Sequence, residues 1–303
     1  MGAQGAVMGK AEIVLTGHGR VVLEGDAPSE HDPLRWLRVP KMRKYMGLQD
    51  DLAVSATGLA VELAGLVPEQ LGERAGLFLA VGYIPFDRKD IERLVTRSTV
   101  DGRIDMDAFS TAGFRAIHPL LTFRCLPNMP AYHISTNFDV QGSYYVTYPG
   151  AGQLYLAIEH AVVALEAGKV DVALVGGVAH QRNFLVEHLG RRLEPPVVES
   201  TLADAAAFFV LERAEHAVER GASVLARLVE LEVGYMAHDP FAGSVRAVER
   251  CLADGQEVGI GSEFGAASMP AVLGEALERG GAVIEHVLES RDGIRARSAW
   301  RVA

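Results

Sequence analysis

The stretch from Asn128 to Gly177 reads NMPAYHISTNFDVQGSYYVTYPGAGQLYLAIEHAVVALEAGKVDVALVGG. Tyr132–Thr136 and Ser143–Tyr148 are β-branched and aromatic with Gly142 between them, a pattern that predicts two strands joined by a turn. From Leu154 the period changes. Leu154, Ala157, Ile158, Ala161, Val162 and Leu165 fall on one face of a helix, with Gly168 placed to cap its C-terminus. Val170–Gly177 is then short and continuously apolar, as a strand buried on both faces would be. The small residues Gly150, Ala151 and Gly152 suit a tight strand-to-helix turn just before the helix.

Outward from this unit, strands and helices alternate. Ala11–Gly17 and Ala75–Gly82 read as strands, Asp50–Leu66 as a helix, and Arg88–Arg97 and Met106–Ala116 as polar helices. Pro119, Pro127 and Pro130 mark an irregular connection. Downstream, Ala205–Glu212, Val224–Tyr235, Glu257–Gly261 and Ala282–Leu288 read as strands. Ala214–Arg220, Val245–Ala253 and Pro270–Glu278 read as helices. This alternation indicates a layered α/β fold, and the segment after Tyr235 is short for a second half equal to the first.

With 303 residues, 49% of them hydrophobic, the chain can bury a large core. A formal net charge of −10 argues against non-specific nucleic-acid binding, which needs a basic surface. The longest basic cluster, Arg35, Arg38, Lys41, Arg43 and Lys44, reads as a solvated face or, alternatively, as a docking patch for an acidic carrier protein. Cys125 and Cys251 lie far apart and are expected to be buried, reduced thiols. No stretch approaches the ~18 consecutive apolar residues of a membrane span, so a soluble, cytoplasmic protein is expected. Gly17-His18-Gly19 lacks the full glycine fingerprint of a dinucleotide turn. His133, His160, His180 and His188 have no partners at metal-ligand spacing, and neither metal nor cofactor is expected.

The Asn128–Gly177 segment resembles the active-site region of the β-ketoacyl-acyl carrier protein synthases, members of the thiolase superfamily. Asn128-Met129 matches the family's opening, Gly142 its turn, and Asp171-Val172 with Gly176-Gly177 its closing strand. Val14-Leu15-Thr16-Gly17 with Gly19 and Val21, His118-Pro119 to Leu126-Pro127-Asn128, and Phe208–Ala222 resemble other parts of that family. The resemblance covers about the first three-quarters of the chain. It implies a thiolase-like layered αβαβα fold with a shortened C-terminal half. The expected organisation is a flexible N-terminus over 1–10, an N-terminal half over 11–200 and a truncated C-terminal half over 201–303.

The departures carry the functional expectation. The family's cysteine nucleophile falls on Ala151, whose methyl group cannot attack a thioester. The usual Gly-Glu-Gly-Ala run is replaced by Ala203-Asp204-Ala205-Ala206, and the closing Gly-Phe-Gly-Gly segment is missing. No His-Gly-Thr-x-Thr motif is present, and in Gly261–Ser268 (GSEFGAAS) Ser262 stands where the second catalytic histidine would be. Without thiol and imidazoles, neither decarboxylation nor condensation has its electrostatic support. Gln153 lies two residues late for the glutamine that chain-length factors carry at the lost cysteine.

The resemblance therefore implies a non-catalytic, chain-length-factor-like subunit of a type II polyketide or aryl polyene system. It would heterodimerise with a catalytically complete ketosynthase, shape that partner's pocket, and meet the acyl carrier protein through the complex. The residues expected at the interface or pocket wall are Phe138, Asp139, Tyr144, Tyr145, Phe109 and Phe114. Two alternatives stay open. One is a thiolase-fold acyltransferase or hydrolase using Ser143, Thr147 or Ser262. The other is a carrier-protein docking or scaffold subunit.

Overall fold

The computed structural model describes residues 11–23, 31–68, 71–86, 88–193, 196–236, 248–258 and 263–303. The expected flexible segment 1–10 and Ser262 lie outside the described residues. Strand β1 (Ile13–Leu23) is followed by helix α1 (Leu48–Leu63) and strand β2 (Ala75–Val81). An excursion then runs through α2 (Arg88–Ser98), the small hairpin β3 (Thr99–Val100) and β4 (Arg103–Ile104), and α3 (Met106–Ala108). It continues through a π-helical turn at Phe109–Gly113 and a 3-10 turn at Phe114–Ala116. Helices α4 (Leu121–Cys125) and α5 (Met129–Phe138) lead to β5 (Tyr144–Thr147), α6 (Gln153–Glu166) and β6 (Val172–Ala179). After α7 (Phe184–Gly190) come β7 (Asp204–Arg213), α8 (Ala214–Glu219), β8 (Ala226–Tyr235), β9 (Val248–Ala253) and β10 (Gln256–Val258). Helix α9 (Ser268–Arg279) and the hairpin β11 (Val283–Glu289) and β12 (Ile294–Val302) close the chain.

Ten strands form one mixed sheet in the order β10-β9-β11-β12-β8-β1-β7-β6-β2-β5. β2 runs parallel to both β5 and β6, and the other pairs are antiparallel. Two cores lie on its two faces. Beneath α1 and α5, Leu52, Leu77, Leu79, Ile134, Phe138, Leu174 and Phe208 pack together. Around α6 and α9, the second core joins Leu154, Ile158, Val175, Phe209 and Leu273 to Ile284, Leu288 and Trp300. Each large side chain fully removed from water stabilises the fold by about 1.5–3 kcal/mol. Because α6 packs on β2 and β6 and also bonds β11 and β12, the sheet folds over it. The layers are thus helix, sheet, helix, sheet. This matches the thiolase-like ketosynthase architecture with a shortened C-terminal half, the outer helical layer of the expected αβαβα order being absent among the described residues.

Sequence reading placed most elements, and every residue of the expected Leu154–Leu165 face is buried. Gly168 takes a positive φ of 64° just past the helix end, as a C-terminal glycine does. Two expectations are corrected. Tyr132–Thr136 is helical, within α5, because Pro130, His133, Ile134, Asn137 and Phe138 supply a buried helical stripe and Asp139 ends it in the left-handed conformation. Val248–Ala253, expected in a helix, is a strand that pairs antiparallel with β10 and β11. β12, which the reading left unassigned, completes that part of the sheet. Gly17 and Gly19 are packing glycines inside β1. A Cβ on them would stand 2.2 Å from the carbonyl oxygens of Ala60 and Ala56 on α1.

Candidate functional site

The turn from β5 to α6 is built by Tyr148-Pro149-Gly150-Ala151-Gly152. Gly150 adopts φ 113°, which favours glycine. Its carbonyl accepts from the Gln153 N–H at 3.3 Å. Ala151 is half-buried against the α6 core. The connection between β11 and β12, Ser290 to Gly293, lies directly on this turn. Asp292 oxygens stand 3.0 Å and 2.8 Å from where a Cβ would sit on Gly150 and Gly152. The Gln153 side-chain amide donates to Asp292 Oδ2 at 2.8 Å, and the Ser290 hydroxyl donates to Oδ1. Nearby, Tyr83 and Tyr148 meet edge to face at 6.2 Å. Burial, then the neighbouring Tyr148 and Asp292, push the Tyr83 phenol above its ordinary pKa.

No imidazole reaches these groups in any hydrogen bond among the described residues. Of the hydroxyls considered as alternative nucleophiles, Thr147 donates to the Gln153 carbonyl at 3.3 Å and so braces the turn. His180 donates to the Arg182 carbonyl at 3.1 Å and lies 3.9 Å from Asp204 at the start of β7. Asp204 is itself committed to the Arg182 backbone N–H and guanidinium. Gly265-Ala266-Ala267, from the expected histidine motif, packs on β6. A Cβ on Gly177 would meet the Ala266 carbonyl at 1.9 Å, which accounts for the glycine there.

The expected interface residues separate into three places. Phe138 is not at an exposed turn. It is 2% exposed at the end of α5 and packs on Trp36 at 6.4 Å between ring centroids. Asp139 pairs with Arg38 at 3.8 Å and accepts from the Gln141 amide. Phe109 and Phe114 belong to the excursion, and the core that holds Phe138 contains neither. Tyr144 and Tyr145 lie on β5, the sheet's terminal strand. Tyr144 is 77% exposed, and Tyr145 stacks on His160 at 3.9 Å.

His133 lies on a helix, not a strand. Burial pushes its pKa down to about 4, and its Nε2 has no partner among the described residues. Cys125 and Cys251 are buried and are not joined in a disulfide, and burial with nearby Glu249 pushes the Cys251 thiol up to about 12. The basic cluster around the 3-10 turns is largely paired, Arg38 with Asp139 and Arg43 with Asp51 at 3.2 Å, and Arg35 with Glu62.

One polar constellation has no signature in the sequence. The Trp300 Nε1–H donates to the Ser298 hydroxyl at 3.1 Å, which lies 3.1 Å from the Tyr155 hydroxyl. Tyr155 is 2.8 Å from His286 Nδ1, and His286 Nε2 is 3.0 Å from Glu249. Ser268 donates to the same carboxylate at 2.6 Å. Donor follows donor in one direction if His286 carries its proton on Nε2. The set has a hydroxyl, an imidazole and a carboxylate in order. Tyr155, His286 and Ser298 are nevertheless wholly buried, so the chain holds structure together and is closed to substrate.

The sequence model of the family described as "Beta-ketoacyl synthase, N-terminal domain" matches residues 17–186, more than half of the chain. The chain belongs to the β-ketoacyl synthase family. Among relatives, this ketosynthase-family chain is 25% identical over 244 residues to the 3-oxoacyl-[acyl-carrier-protein] synthase 1 of Haemophilus influenzae, across 74% of the chain and 55% of that protein. It thus spans little more than half the length of that relative. Among solved structures, it superposes at a TM-score of 0.70 and 17% identity on AntDE:AntF, a type II PKS acyl-carrier protein in complex with its ketosynthase bound to the hexaketide. That match covers 97% of this chain and all of the other. The ishigamide ketosynthase/chain length factor matches at a TM-score of 0.55 and 23% identity, over 77% of this chain and 66% of that one. These likenesses establish the ketosynthase fold. Among the described residues no helix is long and apolar enough to cross a membrane.

Proposed function

We propose that this chain is a non-catalytic, chain-length-factor-like subunit that heterodimerises with a catalytically complete ketosynthase. In that complex it shapes the pocket in which a polyketide or polyene chain grows on an acyl carrier protein. The observation that carries the reading is Ala151 at the half-buried β5–α6 turn, with no imidazole among the described residues bonded to the groups around it. A methyl group offers no electron pair to a thioester. Of the hydroxyl candidates, Thr147 is spent on a backbone carbonyl.

The sheet's two ends support a partner at one of them. β10 bears Gln256 and Glu257, polar side chains that discourage pairing. β5 carries Tyr144, Tyr145, Val146 and Thr147, with no charge, and pairs with β2 on one side. Such an edge accepts another strand readily. Tyr144 and Tyr145 remain in place for that contact, whereas Phe138 is committed to this chain's own core. Lys41 and Lys44, without ion pairs among the described residues, are the part of the basic cluster left to meet an acidic carrier protein. The names of the structural neighbours, a ketosynthase/chain length factor and a ketosynthase with its acyl-carrier protein, agree with this assignment.

Co-expression with a catalytically complete ketosynthase, followed by size-exclusion chromatography, tests the pairing. Co-elution is expected, and Tyr144→Lys should abolish it. Two separate wild-type peaks would overturn the heterodimer. Mass spectrometry of the chain alone after incubation with malonyl or acyl carrier protein should show no covalent adduct. An acylated residue would instead favour the alternative enzyme.

A further inference from the structure

The β11–β12 connection does more than lack a catalytic group, because it brings a carboxylate to the turn. Asp292 spans the two residues that flank Ala151, lying against Gly150 with one oxygen and Gly152 with the other. Two donors hold it there, the Gln153 amide at 2.8 Å and the Ser290 hydroxyl. Gly150 and Gly152 leave the room it needs, since a Cβ at either position would crowd it. This is also the N-terminal end of α6, a helix of 14 residues, where the helix dipole would otherwise favour developing negative charge.

We infer that Asp292 is the residue that excludes acyl-thioester chemistry from this turn, by holding a negative charge against the two residues that flank position 151, beside any thiolate or oxyanion formed there. The inference rests on reading residue 151 as the elbow position of a ketosynthase. Thiolates form in electropositive surroundings, and a like charge within about 4–6 Å disfavours them. Among the described residues, Tyr83 and Tyr148 stand nearby and cannot supply positive charge, while Arg291, adjoining Asp292 in the same connection, is a cation that opposes its effect. The missing sulfur is therefore one of two barriers. Replacing Ala151 with cysteine alone should leave a sluggish thiol.

The experiment compares A151C with A151C/D292N. Each protein is labelled with uncharged iodoacetamide near pH 7.5, and alkylation of the peptide containing residue 151 is followed by mass spectrometry. Cys125 and Cys251 then do not contribute to the reading. The double variant should label about tenfold faster, the effect of a thiol pKa moved by about one unit. Equal rates, or a faster single variant, would overturn the inference. If D292N impairs folding, the pH profile of A151C alone decides. A midpoint above the usual thiol value of about 8.5 supports the inference, and one at or below it overturns it. Co-elution with a partner ketosynthase is read separately, so the dimer assignment and the role of Asp292 can fail independently.

Discussion

In β2 and β6 every residue is buried, whereas along β11 burial alternates from one residue to the next. The first pattern belongs to strands held between α1 and α5 on one side and α6 and α9 on the other. The second belongs to strands with helices on one face only. Several of their outward positions are charged and paired across the sheet, Arg295 with Glu289 and Arg297 with Glu230 and Glu285, while Val229, Val248 and Val283 are also exposed on these strands. Charged pairs of this kind suit a solvated sheet face. The outer face of these strands is thus partly polar, while their inner face is fixed to α6 by the buried Trp300–Ser298–Tyr155–His286–Glu249 chain.

The sharpest way to break this difference is at His286. His286→Ala should destabilise the protein by about 3 kcal/mol, because it empties a fully buried site and takes one partner each from the Tyr155 hydroxyl and the Glu249 carboxylate, which keep Ser298 and Ser268. Tyr155→Phe, which removes one hydroxyl and keeps the packing, should cost about 1–2 kcal/mol. Chemical denaturation of both variants checks the ranking. Hydrogen exchange should place the loosening in β9, β11 and β12 before it reaches β2 and β6. Uniform loosening would mean that the two regions share one cooperative unit and that the contrast between them has no energetic meaning.

That ranking also shows what the sequence could convey. Strands buried on both faces write themselves as unbroken apolar runs, so AGLFLAV and VALVGGVA were legible at once, as was the helical stripe from Leu154 to Leu165. The half-covered strands speak only through alternation. In IRARSAWRV the inward Ile294, Ala296 and Ser298 alternate with outward Arg295 and Arg297, and the alternation breaks at the buried Ala299, so the signal is short. VERCLA is weaker still, since its strand state comes from pairing with Ile284–Glu289 on β11. Tyr132–Thr136 misleads because its β-branched and aromatic residues suit a strand, while the deciding helical stripe extends beyond it to Pro130 and Phe138. At the turn, Ala151 could be read directly. Asp292 could not, because 141 residues separate it from Ala151 and only the fold of β11 and β12 brings them together.

Acid should act first on the doubly covered region. Asp171, beside β6, is drawn down to about pKa 2 by its hydrogen bonds from Arg74 and Arg213, against the opposing effect of burial. Glu212, at the end of β7, is buried, which opposes its charge. Hydrogen bonds from Arg220, Thr16 and His216 outweigh that and lower its pKa. Both carboxyls have folded pKa values below their unfolded ones. Their stabilisation is complete above about pH 4–5 and is lost as pH falls toward 2. Thermal melts between about pH 5 and pH 2.5 should show Tm falling steadily, and Asp171→Asn should flatten part of that slope. An unchanged slope in the variant would remove Asp171 from the account.

The smallest effect belongs to the outer face of the C-terminal strands. Arg297 is partly exposed and reaches Glu230 at 3.4 Å on β8 and Glu285 at 3.2 Å on β11, one cation bridging two neighbouring strands. Exposed pairs of this kind contribute about 0.2–1 kcal/mol and are screened by salt. Arg297→Ala should therefore cost no more than about 1 kcal/mol, and the cost should shrink in high salt. The variant should leave the pairing of β11, β12 and β8 intact. If it instead cost as much as His286→Ala, the outward ladder would be bearing the load assigned to the buried chain. The C-terminal strands would then be held together from their wet face, opposite to what their burial pattern implies.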